Sequence, residues 1–118
     1  MARILVIDDD LSVRLAIRKT LQMEGHEIEE AIDGQSGVEL YRKNPPDLVM
    51  TDIVMPGKHG LEVIEELRRD YPDAKIIALS GSGVEDLKRS TSLGANYAME
   101  KPFLTRELLR VVRETLED

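Results

Sequence analysis

Residues 4–10 read ILVIDDD, four apolar side chains followed at once by three carboxylates. An unbroken apolar run of this length is typical of a strand that is buried on both faces of a parallel sheet. Residues 48–52 (LVMTD) and 97–102 (YAMEKP) likewise pass from apolar to charged side chains. Because the carboxyl ends of parallel strands meet at one edge of a sheet, we expect the charged ends of the three stretches to lie close together.

Around these stretches, apolar runs alternate with helical patterns along the chain. Such alternation indicates right-handed β-α-β units, which place helices on both faces of a parallel sheet. Residues 27–31 (EIEEA) have little apolar content, so this second strand belongs at a sheet edge. The pattern therefore predicts a flavodoxin-like, doubly wound α/β fold, with five parallel strands in the order 2-1-3-4-5 and five helices.

Two of the predicted helices differ in how firmly the sequence anchors them. Ser12 is a suitable N-cap for the first helix, and Asp10 is expected to be a solvated loop acid or a helix-capping residue. Helical spacing predicts an inner face formed by Val13, Ala16, Ile17 and Leu21. The fourth helix, residues 84–93, has a narrow apolar face because charged and hydroxyl side chains interrupt it. We expect this weakly buried helix to be the one that moves.

Composition limits the classes of function. A length of 118 residues fits one domain, residues 1–118, and the absence of cysteine excludes disulfides and thiolate metal sites. The net charge is −7 and the basic residues are scattered among acids, so we predict no direct contact with nucleic acid. No stretch has the length of a signal peptide core or a membrane span, which predicts a cytoplasmic protein without a membrane partner.

The predicted cluster of Asp8, Asp9 and Asp52 has a clear electrostatic consequence. Two carboxylates ~4 Å apart repel each other by about 4 kcal/mol at an effective dielectric constant near 20. A Mg²⁺ ion would relieve this repulsion and leave room for a phosphoryl oxygen. A carboxylate can then attack phosphorus, while a lysine and a hydroxyl, here Lys101 and Ser80, hold the remaining oxygens.

With these residues in place, the chain resembles the receiver domain of two-component response regulators from about residue 3 to the last helix. The acidic pair of that family matches Asp8 and Asp9, and its phosphoacceptor matches Asp52 in residues 47–57 (DLVMTDIVMPG). The switch hydroxyl matches Ser80 in ALSG, and the lysine matches Lys101 in GANYAMEKPF. Each motif alone is weak, whereas all four in this order are very specific.

The resemblance implies a role for each residue. Asp9 would bind Mg²⁺ directly and Asp8 largely through water, and the carbonyl of Val54 would complete the protein ligands. Asp52 would be both ligand and phosphoacceptor, taking the group from a phosphohistidine of a sensor histidine kinase or phosphotransfer protein. Ser80 would move toward the phosphoryl oxygens and Lys101 would pair with them, with a cis bond between Lys101 and Pro102.

The resemblance implies a signalling domain and not an enzyme, since such a domain catalyses only its own phosphorylation and dephosphorylation. Movement of the Ser80 loop would change the face formed by the fourth helix, fifth strand and fifth helix. We expect a downstream effector or a second copy of the chain to dock there.

The sequence departs from the family at one position. Members usually carry an aromatic residue three positions before the lysine, where this chain has Ala98. Tyr97 is one residue earlier, and neighbouring strand residues point to opposite faces, so Tyr97 cannot replace the missing ring. In addition, the apolar side chain of Val54 cannot orient a hydrolytic water, which predicts slow self-dephosphorylation.

Two alternatives remain open from the sequence. The first is a small phosphatase of the haloacid dehalogenase type, in which Asp8 would be the nucleophile; it leaves Asp52 and Lys101 unexplained. The second is a receiver-like binding module that is not phosphorylated, against which the complete set of site residues argues.

Overall fold

The computed structural model describes residues 1–81 and 83–118. Within these residues, five strands alternate with five helices. Their bounds are β1 Arg3–Ile7, α1 Leu11–Met23, β2 Glu27–Ala31, α2 Gly34–Lys43, β3 Leu48–Asp52, α3 Gly60–Asp70, β4 Ile76–Ser80, α4 Val84–Leu93, β5 Tyr97–Glu100 and α5 Thr105–Glu117.

The strands form one parallel sheet in the order β2-β1-β3-β4-β5, which confirms the predicted topology. All five residues of β3 and of β4 are buried, as their apolar sequences predict. On β2, Glu27 and Glu29 are exposed, and this strand lies at the sheet edge, where acidic side chains oppose pairing with another sheet.

Alternate strand residues supply two apolar layers, one on each face of the sheet. Leu5 and Ile7 of β1 point into the layer that α2 and α3 cover, together with Val38 and Ile64. Ile4 and Val6 point into the opposite layer, which α1 and α5 cover. The helices on both faces of the sheet therefore fix β1 and β3 in the centre of the molecule.

Helix α1 begins differently from the prediction. Asp10, not Ser12, is the N-cap: its carboxylate accepts hydrogen bonds from the backbone N–H groups of Ser12 and Val13. Ala16, predicted on the inner face, is exposed, and the buried residues of the helix are Arg14, Ile17 and Leu21. Ile17 and Leu21 are thus buried as predicted, and Val13 packs half-buried against the same layer. The prediction was wrong for Ala16, because Arg14 takes an inner position instead.

Helix α4 has the narrow buried face that its sequence predicts. Within the described range of this helix, Ser90 is the one buried residue, and Val84 at the first turn is 59% exposed. Gly83 precedes the helix with a φ of 109°, a backbone conformation that favours glycine, and provides no side-chain cap. Among the described residues, no helix is long and apolar enough to cross a membrane.

Candidate functional site

Three carboxylates meet at the carboxyl edge of the sheet. One oxygen each from Asp8, Asp9 and Asp52 lies within 4.8 Å of the others. The strand register brings Asp8 and Asp52 together. Ile7 of β1 pairs with Thr51 of β3, so the residues that follow them in the chain, Asp8 and Asp52, lie side by side. This is the topological switch point of the sheet, between β1 and β3, where such folds bind their ligands.

Asp8 is completely buried, and each of its polar groups has a partner. Its backbone N–H donates to the carbonyl of Ala31 at 3.1 Å, and Oδ1 accepts from the backbone N–H of Asp10 at 2.9 Å. Oδ2 accepts from Lys101 Nζ at 2.8 Å, and the carbonyl oxygen accepts from Arg14 Nη1 at 2.7 Å. Asp9, the next residue, is exposed to solvent.

Lys101 reaches the acidic cluster from the end of β5. Its Nζ lies 2.8 Å from Asp8 Oδ2 and 3.3 Å from Asp52 Oδ1, so one ammonium group bridges the two buried carboxylates. Its backbone N–H donates to the carbonyl of Ser80 at 2.8 Å, which places the buried end of β4 beside it. The bond from Lys101 to Pro102 is cis, as expected.

Burial and neighbouring charges raise the pKa values of Asp52 and Lys101. Burial raises the pKa of Asp52, the charge of Asp8 raises it further, and Lys101 opposes both effects. Burial alone would lower the pKa of Lys101, but its hydrogen bond and charge interaction with Asp8, and those with Asp52, outweigh burial, so the pKa of Lys101 is raised. Negative charge therefore accumulates at this edge, and one lysine compensates only part of it.

The loop after Asp52 is packed tightly against the strand it leaves. The N–H of Gly60 donates to the carbonyl of Ile53 at 2.8 Å, and a Cβ atom at position 60 would lie 2.6 Å from Ile53 Cα, so only glycine fits. Helix α3 then begins with a capping box between His59 and Glu62. Val54, two residues after Asp52, is 53% exposed.

Residues 97 and 98 point to opposite sides of the sheet, as predicted. Ala98 packs against the apolar layer that α2 and α3 cover, and Tyr97 packs against the layer that α1 and α5 cover. The ring of Tyr97 therefore does not lie where an aromatic residue at position 98 would.

Sequence reasoning missed the roles of two residues, Arg14, which contacts Asp8, and His59, which caps α3. The signal for Arg14 was present, because it is three residues before Ile17 on the same helical face and Glu30 lies on the neighbouring strand. His59 stands where a Ser, Thr, Asp or Asn cap is usual, so its capping role had no simple sequence signal.

Comparison with known families assigns the class. The family model described as "Response regulator receiver domain" matches residues 4–113, so the chain belongs to this family. Curated relatives include response regulator MprA from Mycobacterium sp. (strain KMS), which is 38% identical over 115 residues, and its namesake from Mycobacterium leprae, 36% identical over the same length. Each match covers 97% of this chain and 50% of the relative, so the chain spans about half the length of these proteins.

Solved structures agree with this assignment. The receiver domain of NtrX from Brucella abortus superposes with a TM-score of 0.92 and is 32% identical, over 97% of this chain and 98% of that one. The chemotaxis protein CheY4 of Vibrio cholerae gives a TM-score of 0.90 at 30% identity and covers 98% of both chains. The predicted family is thus confirmed, and neither the phosphatase nor the unphosphorylated binding module is favoured.

Proposed function

We propose that residues 1–118 form a single receiver domain, in which Asp52 accepts a phosphoryl group and the chain acts as a phosphorylation-dependent switch. The observation that carries this proposal is the position of the Asp52 carboxylate, between a partly compensated acidic cluster and the ammonium group of Lys101. Asp52 is 7% exposed, so its carboxylate is held in place and still borders solvent. The intact family match supports the same role.

The residues present fit a Mg²⁺ ion. Oxygen ligands from two or three carboxylates suit this hard cation, and the exposure of Asp9 leaves space for the water molecules that Mg²⁺ retains. We propose Asp9, Asp52 and the carbonyl of Val54 as direct ligands and Asp8 as a ligand through water. When bound, the ion neutralises the charge of the acceptor and of the phosphoryl oxygens.

The reaction transfers one phosphoryl group between two nucleophiles. An oxygen of Asp52 forms the new O–P bond while the N–P bond of a phosphohistidine breaks, and the electron pair of that bond returns to the imidazole nitrogen. Lys101, which already spans Asp8 and Asp52, would pair with a phosphoryl oxygen. Ser80, at the end of β4, would bind another oxygen by a movement of the loop that follows it.

Exposed apolar side chains around the acidic cluster support a protein as phosphodonor. At or beside the start of each loop or helix that follows a strand lies a large apolar side chain that is 53–60% exposed: Leu11, Ile32, Val54, Val84 and Leu104. These side chains follow the carboxyl ends of the strands, at the edge of the sheet that carries the acidic cluster. A protein surface would bury them, whereas a small phosphodonor would leave them in water. We therefore propose a sensor histidine kinase or a phosphotransfer protein as the partner.

The signal would leave through the face of α4, β5 and α5. Helix α4 follows the Ser80 loop directly and is weakly buried, so a movement of Ser80 would displace it at small cost. We propose that a downstream effector or a second copy of the chain reads this face. Ala98 lies on β5 within it, so the readout would proceed without an aromatic ring at that position.

Incubation with acetyl phosphate or phosphoramidate, with and without Mg²⁺, tests the acceptor. We expect one Mg²⁺-dependent phosphoryl group on Asp52, located by mass spectrometry of peptides, and none in Asp52→Asn. Rapid turnover through Asp8 would instead indicate a phosphatase, and the absence of modification in both conditions would contradict the proposal.

Substitution of Asp9 tests the metal site. In Asp9→Asn the metal-free protein should be slightly more stable, by roughly 1 kcal/mol or less because Asp9 is exposed and its repulsion is screened. Most of the stabilisation by Mg²⁺ should disappear. Thermal melts with and without Mg²⁺ measure both effects, and a lower metal-free midpoint would contradict the repulsion argument.

The side chain at position 54 tests the lifetime of the phosphoryl group. Val54 is exposed two residues after Asp52, and its apolar side chain cannot form a hydrogen bond to an attacking water, so we expect slow hydrolysis. Val54→Asn should shorten the lifetime, which loss of the phosphorylated mass over time would measure. Val54→Leu, of similar polarity, is the matched control.

A further inference from the structure

Arg14 joins the acidic cluster to the edge strand of the sheet. Its side chain is only 11% exposed, on the inner face of α1. Nη1 donates to the carbonyl oxygen of Asp8 at 2.7 Å, and Nε donates to Glu30 Oε1 on β2 at 3.0 Å. The carbonyl that Arg14 holds belongs to the peptide group between Asp8 and Asp9, the two acids of the cluster.

Strand β2 therefore fixes the backbone on both sides of Asp8. The N–H of Asp8 donates directly to the carbonyl of Ala31, and the carbonyl of Asp8 is held by Arg14, which is itself oriented by Glu30. Arg18 also binds Glu30, through Nη1 at 2.6 Å, but it has no hydrogen bond to Asp8 among the described residues. Glu30 is thus shared by two arginines, of which one contacts the site.

Asp9 depends on this peptide group more than Asp8 does. The carboxylate of Asp8 is held by Lys101 and by the N–H of Asp10, whereas the carboxylate of Asp9 has no hydrogen bond or ion pair within residues 1–81 and 83–118. The direction in which the Asp9 side chain leaves the backbone is set by the plane of the preceding peptide, which Arg14 fixes.

We propose that Arg14 is a positioning residue that sets the affinity of the acidic cluster for Mg²⁺, through the orientation of the peptide between Asp8 and Asp9. This inference rests on the proposed function and adds a residue outside the cluster to it. Removal of a residue that orients a metal ligand typically weakens metal binding by roughly 10- to 100-fold. Stability alone does not account for the largely buried ion pair of Arg14 and Glu30, since apolar side chains can often replace such a pair without loss of stability.

The test compares Arg14→Gln with Arg18→Gln, which removes the other arginine from the same glutamate. Mg²⁺ affinity is measured by calorimetry and by the Mg²⁺ dependence of the melting temperature, neither of which requires phosphorylation. We expect Arg14→Gln to bind Mg²⁺ roughly tenfold more weakly than the wild-type protein, and Arg18→Gln to stay within about twofold. At saturating Mg²⁺, the rate of phosphorylation by acetyl phosphate should return toward the wild-type rate in Arg14→Gln, because the reacting groups are unchanged.

Unchanged Mg²⁺ affinity in a folded Arg14→Gln protein would overturn the inference, as would an equal loss in both variants. If Arg14→Gln does not fold, Arg14→Lys replaces it, with Arg18→Lys as control. A lysine cannot reproduce the two separate N–H contacts of the guanidinium, so Arg14→Lys should weaken Mg²⁺ binding more than Arg18→Lys does, and equal affinities would overturn the inference. A wild-type protein that fails to bind Mg²⁺ would overturn the proposed metal site and this inference together, whereas wild-type binding with an unaffected Arg14 variant would overturn this inference alone.

Discussion

Helices α3 and α4 cover the same apolar layer of the sheet but are fastened to it differently. Helix α3 starts with the capping box of His59 and buries Val63, Ile64 and Leu67. Helix α4 starts at Gly83 without a side-chain cap, and its buried residue is a serine. Helix α3 therefore holds the loop after Asp52 in place, whereas α4 contributes the partly buried Leu93 to the same layer.

The two helices meet at Arg68, near the end of α3. Its Nε and Nη2 donate to the carbonyl of Gly94, which ends α4, at 3.1 and 2.8 Å, and Nη2 also donates to Asn96 Oδ1 at 2.9 Å. A Cβ atom at Gly94 would lie 2.7 Å from Arg68 Cγ, so this close approach requires glycine. Helix α4 is thus attached to α3 at its carboxyl end, whereas Gly83 at its other end provides no side-chain cap.

The largest expected effect is a difference in stability between variants that lose a large apolar side chain from α3 and from α4. Ile64→Ala should lower the free energy of unfolding by about 2–5 kcal/mol, because Ile64 is completely buried and the substitution leaves a cavity. Leu87→Ala in α4 should cost about 1 kcal/mol or less, since Leu87 is half-buried. Urea unfolding of the two variants measures the difference, and equal losses would remove the contrast between the helices.

A smaller effect is expected at the junction. Arg68→Ala should cost about 1–2 kcal/mol, because the backbone carbonyls of Gly94 and Pro72 and the Asn96 side chain lose a charged donor. Amide exchange should accelerate in α4 and leave α3 unchanged, which mass spectrometry of exchanged peptides can resolve. Arg69→Ala, on the exposed side of the same helix, is the control and should change stability by less than about 0.5 kcal/mol.

The smallest effect concerns the start of α3. His59→Ala removes a cap whose Nδ1 accepts from the N–H of Leu61 at 3.3 Å, and loss of an N-cap costs about 1 kcal/mol. His59→Asn should retain most of the stability, since asparagine is a strong cap. Thermal melts of the two variants compare them directly, and a destabilised Asn variant would show that the ring has another role.

Much of the fold is dictated by sequence patterns that act locally. The acidic strand at residues 27–31 predicts its own place at the sheet edge, and the buried runs of β3 and β4 predict a central position. The order of the strands then brings Asp8 and Asp52 together, so the cluster itself was predictable. The narrow face of α4 was also visible, because its polar residues interrupt the apolar spacing.

Other features depend on packing that sequence patterns do not encode. Arg14 lies on the inner face of α1 because Glu30 on β2 and the Asp8 carbonyl supply partners for a buried guanidinium. A pattern based on apolar side chains assigns that face to Ala16 instead, and also selects Ser12 as the cap although Asp10 has the stronger acceptor. Partners on other elements decided the position of Arg14, whereas the cap was decided locally, by the N–H groups of Ser12 and Val13 that donate to the Asp10 carboxylate.

The ion pair between Lys101 and Asp8 joins residues that are 93 positions apart in the chain. No local segment can reproduce it, because Lys101 follows β5 at the edge of the sheet and Asp8 follows β1, and β3 and β4 lie between these two strands. A molecule in which β5 has not joined the sheet therefore lacks the lysine that pairs with Asp8. Ligands that bind this site select the folded population, and in doing so they stabilise it by mass action.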